Sequence, residues 1–196
     1  MARRSKERDI MFKTSLTTLI AITVATVLPV LAGHFGGAAN AEVVDSKVLF
    51  RAKAWEVSVV EFDDGSYACA AEVGSKSSSF LIWADTGSNA SLQFYNSNWQ
   101  FEPSTADVTV RIDRRASWTL NDSSLKQNSV FFTLPDEDAS YRFLREVMRG
   151  NVLNLYSSSG SLIERYSLAG SNASILKLSE CVDALKSVDK DSNPFN

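Results

Sequence analysis

From Trp55 to Phe62 the sequence reads Trp-Glu-Val-Ser-Val-Val-Glu-Phe, apolar and polar residues in alternation, and it then meets Asp64-Gly65. A period of two sends successive side chains to opposite faces of an extended chain, and Asp-Gly supplies the positive backbone angles of a tight hairpin. The pattern recurs along the chain. Tyr67 to Val73 reads as the return strand, and Ser79–Ala84 and Ala90–Tyr95 read as a second pair. Ala106 to Asp113 places Val108, Val110 and Ile112 on one face, and short strands are expected at Ser117–Leu120 and Ser129–Leu134 with Asn121-Asp-Ser-Ser between them. Closely spaced strands with turn residues between them predict a mainly β fold: an antiparallel β-sandwich or a partly open barrel.

Two segments change period. Between Asp136 and Gly150, residues Tyr141, Leu144, Val147 and Met148 share a helical face, acids gather at the start, Arg145 and Arg149 lie near the end, and Gly150 is placed to stop it. Strands at Asn151–Tyr156 and Ser161–Leu168 follow. A C-terminal helix is then expected, with Ser171 as its cap and Ile175, Leu178, Val182 and Leu185 as its apolar stripe, Cys181 beside them. The predicted fold therefore has one internal and one C-terminal helix.

Residues 1–41 read as an export signal. Arg3, Arg4, Lys6, Arg8 and Lys13 precede an apolar stretch from Leu16 to Ala32, and Ala39-Asn40-Ala41 fits a cleavage site. The alternative is an uncleaved anchor, because the apolar stretch approaches bilayer length; Pro29 and the small residues after it favour cleavage, leaving no membrane span. The expected organisation is then a signal at 1–41, a lead-in at 42–54, one β-rich domain at 55–188 and a loose tail at 189–196.

Cleavage would narrow the available chemistry. The signal holds five of the 20 Lys plus Arg and two of the 23 Asp plus Glu, so the remainder carries a net charge of −6, scattered along the chain. That is no footprint for nucleic acid. The single histidine, His34, leaves with the signal, which removes histidine-based catalysis and histidine-ligated metal from consideration. No cofactor or metal is expected. Both cysteines, Cys69 and Cys181, remain; in an exported chain they are expected to pair, a strand residue with a helix residue facing the sheet. Such a bond closes a loop of about 110 residues, worth on the order of 4–5 kcal/mol in the chain-entropy description.

Asp85-Thr-Gly-Ser88 is the one catalytic-looking string. Aspartic proteases use such an Asp, but the mechanism needs two carboxylates whose pKa values are driven apart. The chain after residue 41 has no second copy, so Asp85 would have to act in a retropepsin-like homodimer. The glycine-rich flap of those enzymes is also missing, since no glycine lies between Gly87 and Gly150. The competing reading is a hairpin loop, Asp85 to Asn89, rich in turn residues. The pentapeptide Gly-Ser-Asn-Ala-Ser occurs at Gly87–Ser91 and again at Gly170–Ser174. Its flanks differ, so one string is expected in two structural roles.

Three weaker candidates remain. Ser171, Asn172 and Ser174 could hold an anion at a helix start, against an ordinary cap. Arg111, Arg114 and Arg115 could form a basic patch. The aromatics Trp55, Trp83, Trp99 and Trp118, with Phe62, Phe80, Phe94 and Tyr95, could line a ligand groove, although at strand spacing they suit a core.

The order of features resembles the invasion-associated locus B family of small bacterial periplasmic proteins. It rests on Trp55 ahead of Tyr67-Ala-Cys69, on Gly150-Asn-Val-Leu-Asn-Leu, and on Arg165-Tyr-Ser-Leu-Ala-Gly-Ser171 leading into a helix that carries Cys181. The resemblance runs from Trp55 to Leu185. It implies an exported, disulfide-fastened β domain that meets a protein partner in the envelope or the host and has no family catalytic residues.

Overall fold

A computed structural model describes residues 42–87 and 89–192. The expected signal, with His34, lies outside the described residues, as do Ser88 and the last four residues of the tail.

Ten strands and two helices follow one another as β1 (Val43–Ala52), β2 (Trp55–Phe62), β3 (Tyr67–Gly74), β4 (Ser78–Ala84), β5 (Ser91–Asn96), β6 (Phe101–Ile112), β7 (Ser117–Gln127), β8 (Ser129–Thr133), α1 (Glu137–Met148), β9 (Val152–Tyr156), β10 (Leu162–Ser167) and α2 (Ser171–Ser192). All strands belong to one antiparallel sheet in the order β1-β2-β3-β4-β5-β8-β7-β6-β9-β10. The first five form a meander. The chain then skips two places, returns through β6, β7 and β8 to pair β8 with β5, and crosses by α1 to set β9 beside β6. The sheet is not closed, but it curls: Tyr166 of β10 packs against Phe80 of β4 and Phe94 of β5 at centroid distances of 5.9 and 6.1 Å. The expected mainly β, sandwich-like or partly open architecture is what the chain adopts.

Three boundaries differ from expectation. The 42–54 segment is no lead-in: Val43–Ala52 is a ten-residue edge strand on β2. Most of its side chains are exposed, so it lacks the buried alternation that marks strands in sequence. Asn121-Asp-Ser-Ser does not end β7, which runs on to Gln127. Asn121 and Asp122 together face the single residue Asp107 as a bulge, Asp122 takes φ +54°, and its N–H donates to the Asp107 carboxylate at 3.0 Å. The turn-like residues thus bend a strand rather than break it. At the other end, α2 carries on through 189–192, where a tail was expected.

The helix faces are also resolved. In α1 the buried residues are Ala139, Ser140, Phe143 and Val147, while Leu144 and Met148 are half-buried and Tyr141 is 59% exposed. The sheet-facing stripe is centred on Phe143, which meets Trp118 edge-on at 5.3 Å; Tyr141 belongs to the opposite margin. Asp136 caps the helix, accepting from the Ala139 N–H at 2.6 Å. Along α2, Ile175, Leu178 and Cys181 are buried and Val182 and Leu185 are half-buried, as the stripe predicted.

The main core lies on the concave face, built from Trp55, Val57, Phe80, Ile82, Leu92 and Phe94 with residues of both helices and of β6 to β10. A second cluster, Val60, Phe62, Ala68, Ala70, Leu81 and Trp83, occupies the other face of β2 to β4. Trp83 donates its indole N–H to Gln93 at 2.9 Å, and Gln93 donates to Ser129 at 3.0 Å. The aromatics are therefore mostly packing residues. Cys69 and Cys181 form a disulfide across a separation of 112 residues, with Cα atoms 6.1 Å apart.

Candidate functional site

The two copies of Gly-Ser-Asn-Ala-Ser sit beside one cavity. The first forms most of the β4–β5 loop and the start of β5; the second opens α2. Around them a groove of about 750 Å³ lies between α1, α2 and the β4–β5 loop. Three contacts fix its shape. Ser171 Oγ donates to the Val147 carbonyl at 2.7 Å, so the start of α2 is tied to the end of α1. The Ala90 N–H donates to Ser140 Oγ at 3.0 Å, holding the β4–β5 loop against α1 near its start. The Cys69–Cys181 bond draws the middle of α2 onto the sheet, where Cys69 pairs with Ala84 at the end of β4. The helices meet at one end of the groove, and the loop fills the space between them at the other.

Both helical walls of the groove carry apolar side chains, Tyr141, Leu144 and Met148 on α1 and Ile175, Leu178 and Val182 on α2, with Ser140, Asn172 and Ser179 between them. Two of its large apolar side chains, Tyr141 and Leu176, are more than half exposed, at 59% and 56%. Charge is unevenly distributed along the groove. Arg145 and Arg149 lie at the end where the helices meet; Asp85, Glu137 and Asp183 lie towards the loop, with Lys186 among them. Arg145 rests over the Tyr141 ring at 5.4 Å, which holds that ring against its own helix.

Asp85 stands on the rim of this groove. Its carboxylate accepts the Gly87 N–H at 2.7 Å, closing an Asx turn, and the side chain is exposed. The turn explains why Asp, Gly and Asn stand together here. A protease use of Asp85 would need a second copy to bring its carboxylate alongside. Among the described residues, no group of three or more His, Cys, Asp or Glu is placed to hold a metal ion.

Ser171, Ser174, Arg111 and Arg115 are spent on structure, while Arg114 and Asn172 are exposed. Ser171 does not cap α2: its hydroxyl serves Val147, and the first helical bond runs from the Ser174 N–H to the Gly170 carbonyl at 3.2 Å. Ser174 is fully buried. The helix start is therefore a packed corner. Arg111 lies over the Tyr156 ring and donates to its hydroxyl at 2.6 Å. Arg115 donates to the carbonyls of Glu146 and Arg149 at 2.9 and 3.1 Å, satisfying the end of α1. Sequence reasoning found each wall of the groove but not the groove. Tyr141 on the margin of its helix and Leu176 outside the α2 stripe were the signals that an apolar surface continues past the core.

Comparison of the chain with family models, with curated proteins and with solved structures found no match. Among the described residues, no helix is long and apolar enough to cross a membrane.

Proposed function

We propose that this chain is an exported accessory protein of the bacterial envelope that works through protein contacts, and that the groove between α1 and α2 is the contact surface. The observation that carries the reading is the exposure of Tyr141 and Leu176 on two helices that line one groove with Leu144, Met148, Ile175 and Leu178. Large apolar side chains left outside the core in this arrangement mark interaction surfaces. Export and a periplasmic location rest on the basic, apolar and A-x-A segments of residues 1–41. They are supported by the disulfide, which persists in oxidising compartments. The resemblance to the invasion-associated locus B family points the same way, towards a partner in the envelope or the host.

The test compares cross-linked complexes. Tagged wild-type protein and the Tyr141→Asp, Leu176→Asp double variant are expressed at equal level and cross-linked in intact cells, alone and in contact with host cells. At least one partner should be recovered with the wild type and lost with the variant. Identical recoveries from both proteins would dismiss the groove as the contact surface. Detection of the protein only in the cytoplasm, with residues 1–41 retained, would dismiss export.

A further inference from the structure

Resting on the reading of the groove as a protein-contact surface, we propose that its occupant is an amphipathic α-helix of the partner, with a basic end beside Asp85, Glu137 and Asp183 and an acidic end beside Arg145 and Arg149.

The backbone chemistry of the groove selects a helix. An extended peptide binds well where it can add to a free strand edge and share that edge's hydrogen bonds. No such edge lines this groove. β4 is paired on both sides, by β3 and β5, and β5 by β4 and β8. The walls are helices, whose backbone groups are already bonded internally. An extended segment laid here would leave its own N–H and C=O groups facing apolar side chains without partners, a desolvation cost for each group buried. A helix bonds its own backbone and presents only side chains, so it alone enters without that penalty.

The dimensions and charges agree. A volume of about 750 Å³ is a large ligand-sized cleft that takes the apolar stripe of a short helix. A helix seated between α1 and α2 would meet Leu144 and Met148 on one wall and Ile175 and Val182 on the other, the three-helix packing that helix ridges and grooves allow. The charges on the rim are uneven: two arginines stand at one end, and three carboxylates outnumber Lys186 at the other. Arg145 and Arg149 face one end of the occupant and the three carboxylates the other, so complementarity fixes the direction of entry more than the strength of binding.

The probe is a fluorescein-labelled 18-residue synthetic peptide with leucines at alternating three- and four-residue spacing, lysines at one end and glutamates at the other. The control has the same composition, shuffled to destroy the stripe. Binding is measured by fluorescence polarisation to the oxidised protein purified from the periplasm. The striped peptide should bind saturably and at least about tenfold more tightly than the shuffled one. Tyr141→Asp with Leu176→Asp should weaken it at least about tenfold; both side chains are largely exposed, so the fold is retained, as circular dichroism and an intact disulfide would verify. Arg145→Glu with Arg149→Glu should weaken the striped peptide severalfold at low salt and less at high salt.

Equal binding of striped and shuffled peptides overturns the proposal, as does tight, saturable binding of palmitate that displaces the peptide, which would make the groove a lipid site. A photo-reactive residue at position 141 separates this failure from failure of the broader reading. Cross-links to an envelope protein without any peptide binding would leave the contact surface standing and sink the helical occupant. Cross-links to residues of the partner spaced three and four apart would support it.

Discussion

Ser171 Oγ and the Val147 carbonyl are joined by a 2.7 Å hydrogen bond in a fully buried corner, so the first residue of α2 completes the end of α1. Helix ends leave carbonyls without partners in the helix; this one takes the Gly150 N–H at 3.3 Å and the hydroxyl of a residue 24 positions later in the chain. The bond sets where the two helices meet and therefore the closed end of the groove. Ser171→Ala should remove the shorter bond to the Val147 carbonyl, leave the 3.3 Å bond from the Gly150 N–H, and cost about 1 kcal/mol. Urea denaturation followed by tryptophan fluorescence measures it; an unchanged midpoint would show that the corner does not depend on the hydroxyl.

The Cys69–Cys181 bond fastens the same helix to the sheet. With the cysteines 112 positions apart, its removal should lower stability by roughly 2–5 kcal/mol. A reductant series should therefore shift the denaturation midpoint of the wild type and leave the Cys69→Ala, Cys181→Ala double variant unmoved. Intact mass should show no free thiol. Because the bond also holds one wall of the groove, reduction should loosen α2 before β5 and β8, which hydrogen exchange would register as faster exchange in residues 175–187.

How far the sequence disclosed this arrangement depends on which side chains are buried. Alternation exposed β2 and most of β6 because one face of each is packed. It missed β1, where Val44, Val48 and Leu49 are all exposed and only Val43 and Phe50 pack against the core clusters, so no buried alternation shows. Asp122 looked like part of a loop because Asn, Asp and Ser are turn residues, yet the same tolerance of positive φ lets it form a bulge. Ser171 looked like a cap because Ser is common there; which carbonyl its hydroxyl reaches is decided by the packing of α1 on α2, which no local pattern encodes. The cysteine pairing was legible because only one pairing exists. The groove was not, since it arises where three distant segments converge.

The repeated pentapeptide gives a paired test of local context. Gly170 has φ +100°, and a Cβ there would run into the Ala52 carbonyl and Lys53 at the end of β1. The closest contacts are with the Ala52 backbone, which cannot step aside. Gly170→Ala should cost about 2–4 kcal/mol, combining a strained φ with overpacking. Gly87 has no positive φ, and its Cβ would meet only the Asp85 side chain, at 2.8 Å. That carboxylate can turn away into solvent. Gly87→Ala should therefore cost less than about 1 kcal/mol, and equal losses in the two variants would contradict this distinction.

Glu72 supplies a pH dependence. It lies half-buried on β3, between Glu56 of β2 and Leu81 of β4 in the sheet register. Burial raises its pKa above the ordinary carboxylate value; a hydrogen bond from Ser79 opposes the shift, and the nearby Glu56 adds to it. A carboxyl whose folded pKa is raised holds its proton more tightly in the native state than in the unfolded chain. Its contribution is therefore favourable below the unfolded pKa, declines as pH rises through the folded one, and stays lost above it. Glu72→Gln removes the ionisation while keeping a group able to bond Ser79. The variant should be more stable than the wild type at pH 7, by on the order of 1 kcal/mol. The gain should shrink as the solution is acidified towards pH 4, where the wild-type carboxyl is itself protonated. Urea midpoints of both proteins across that range decide it: a gain that is constant with pH would trace the effect to packing, and a gain that grows on acidification would reverse the assigned shift.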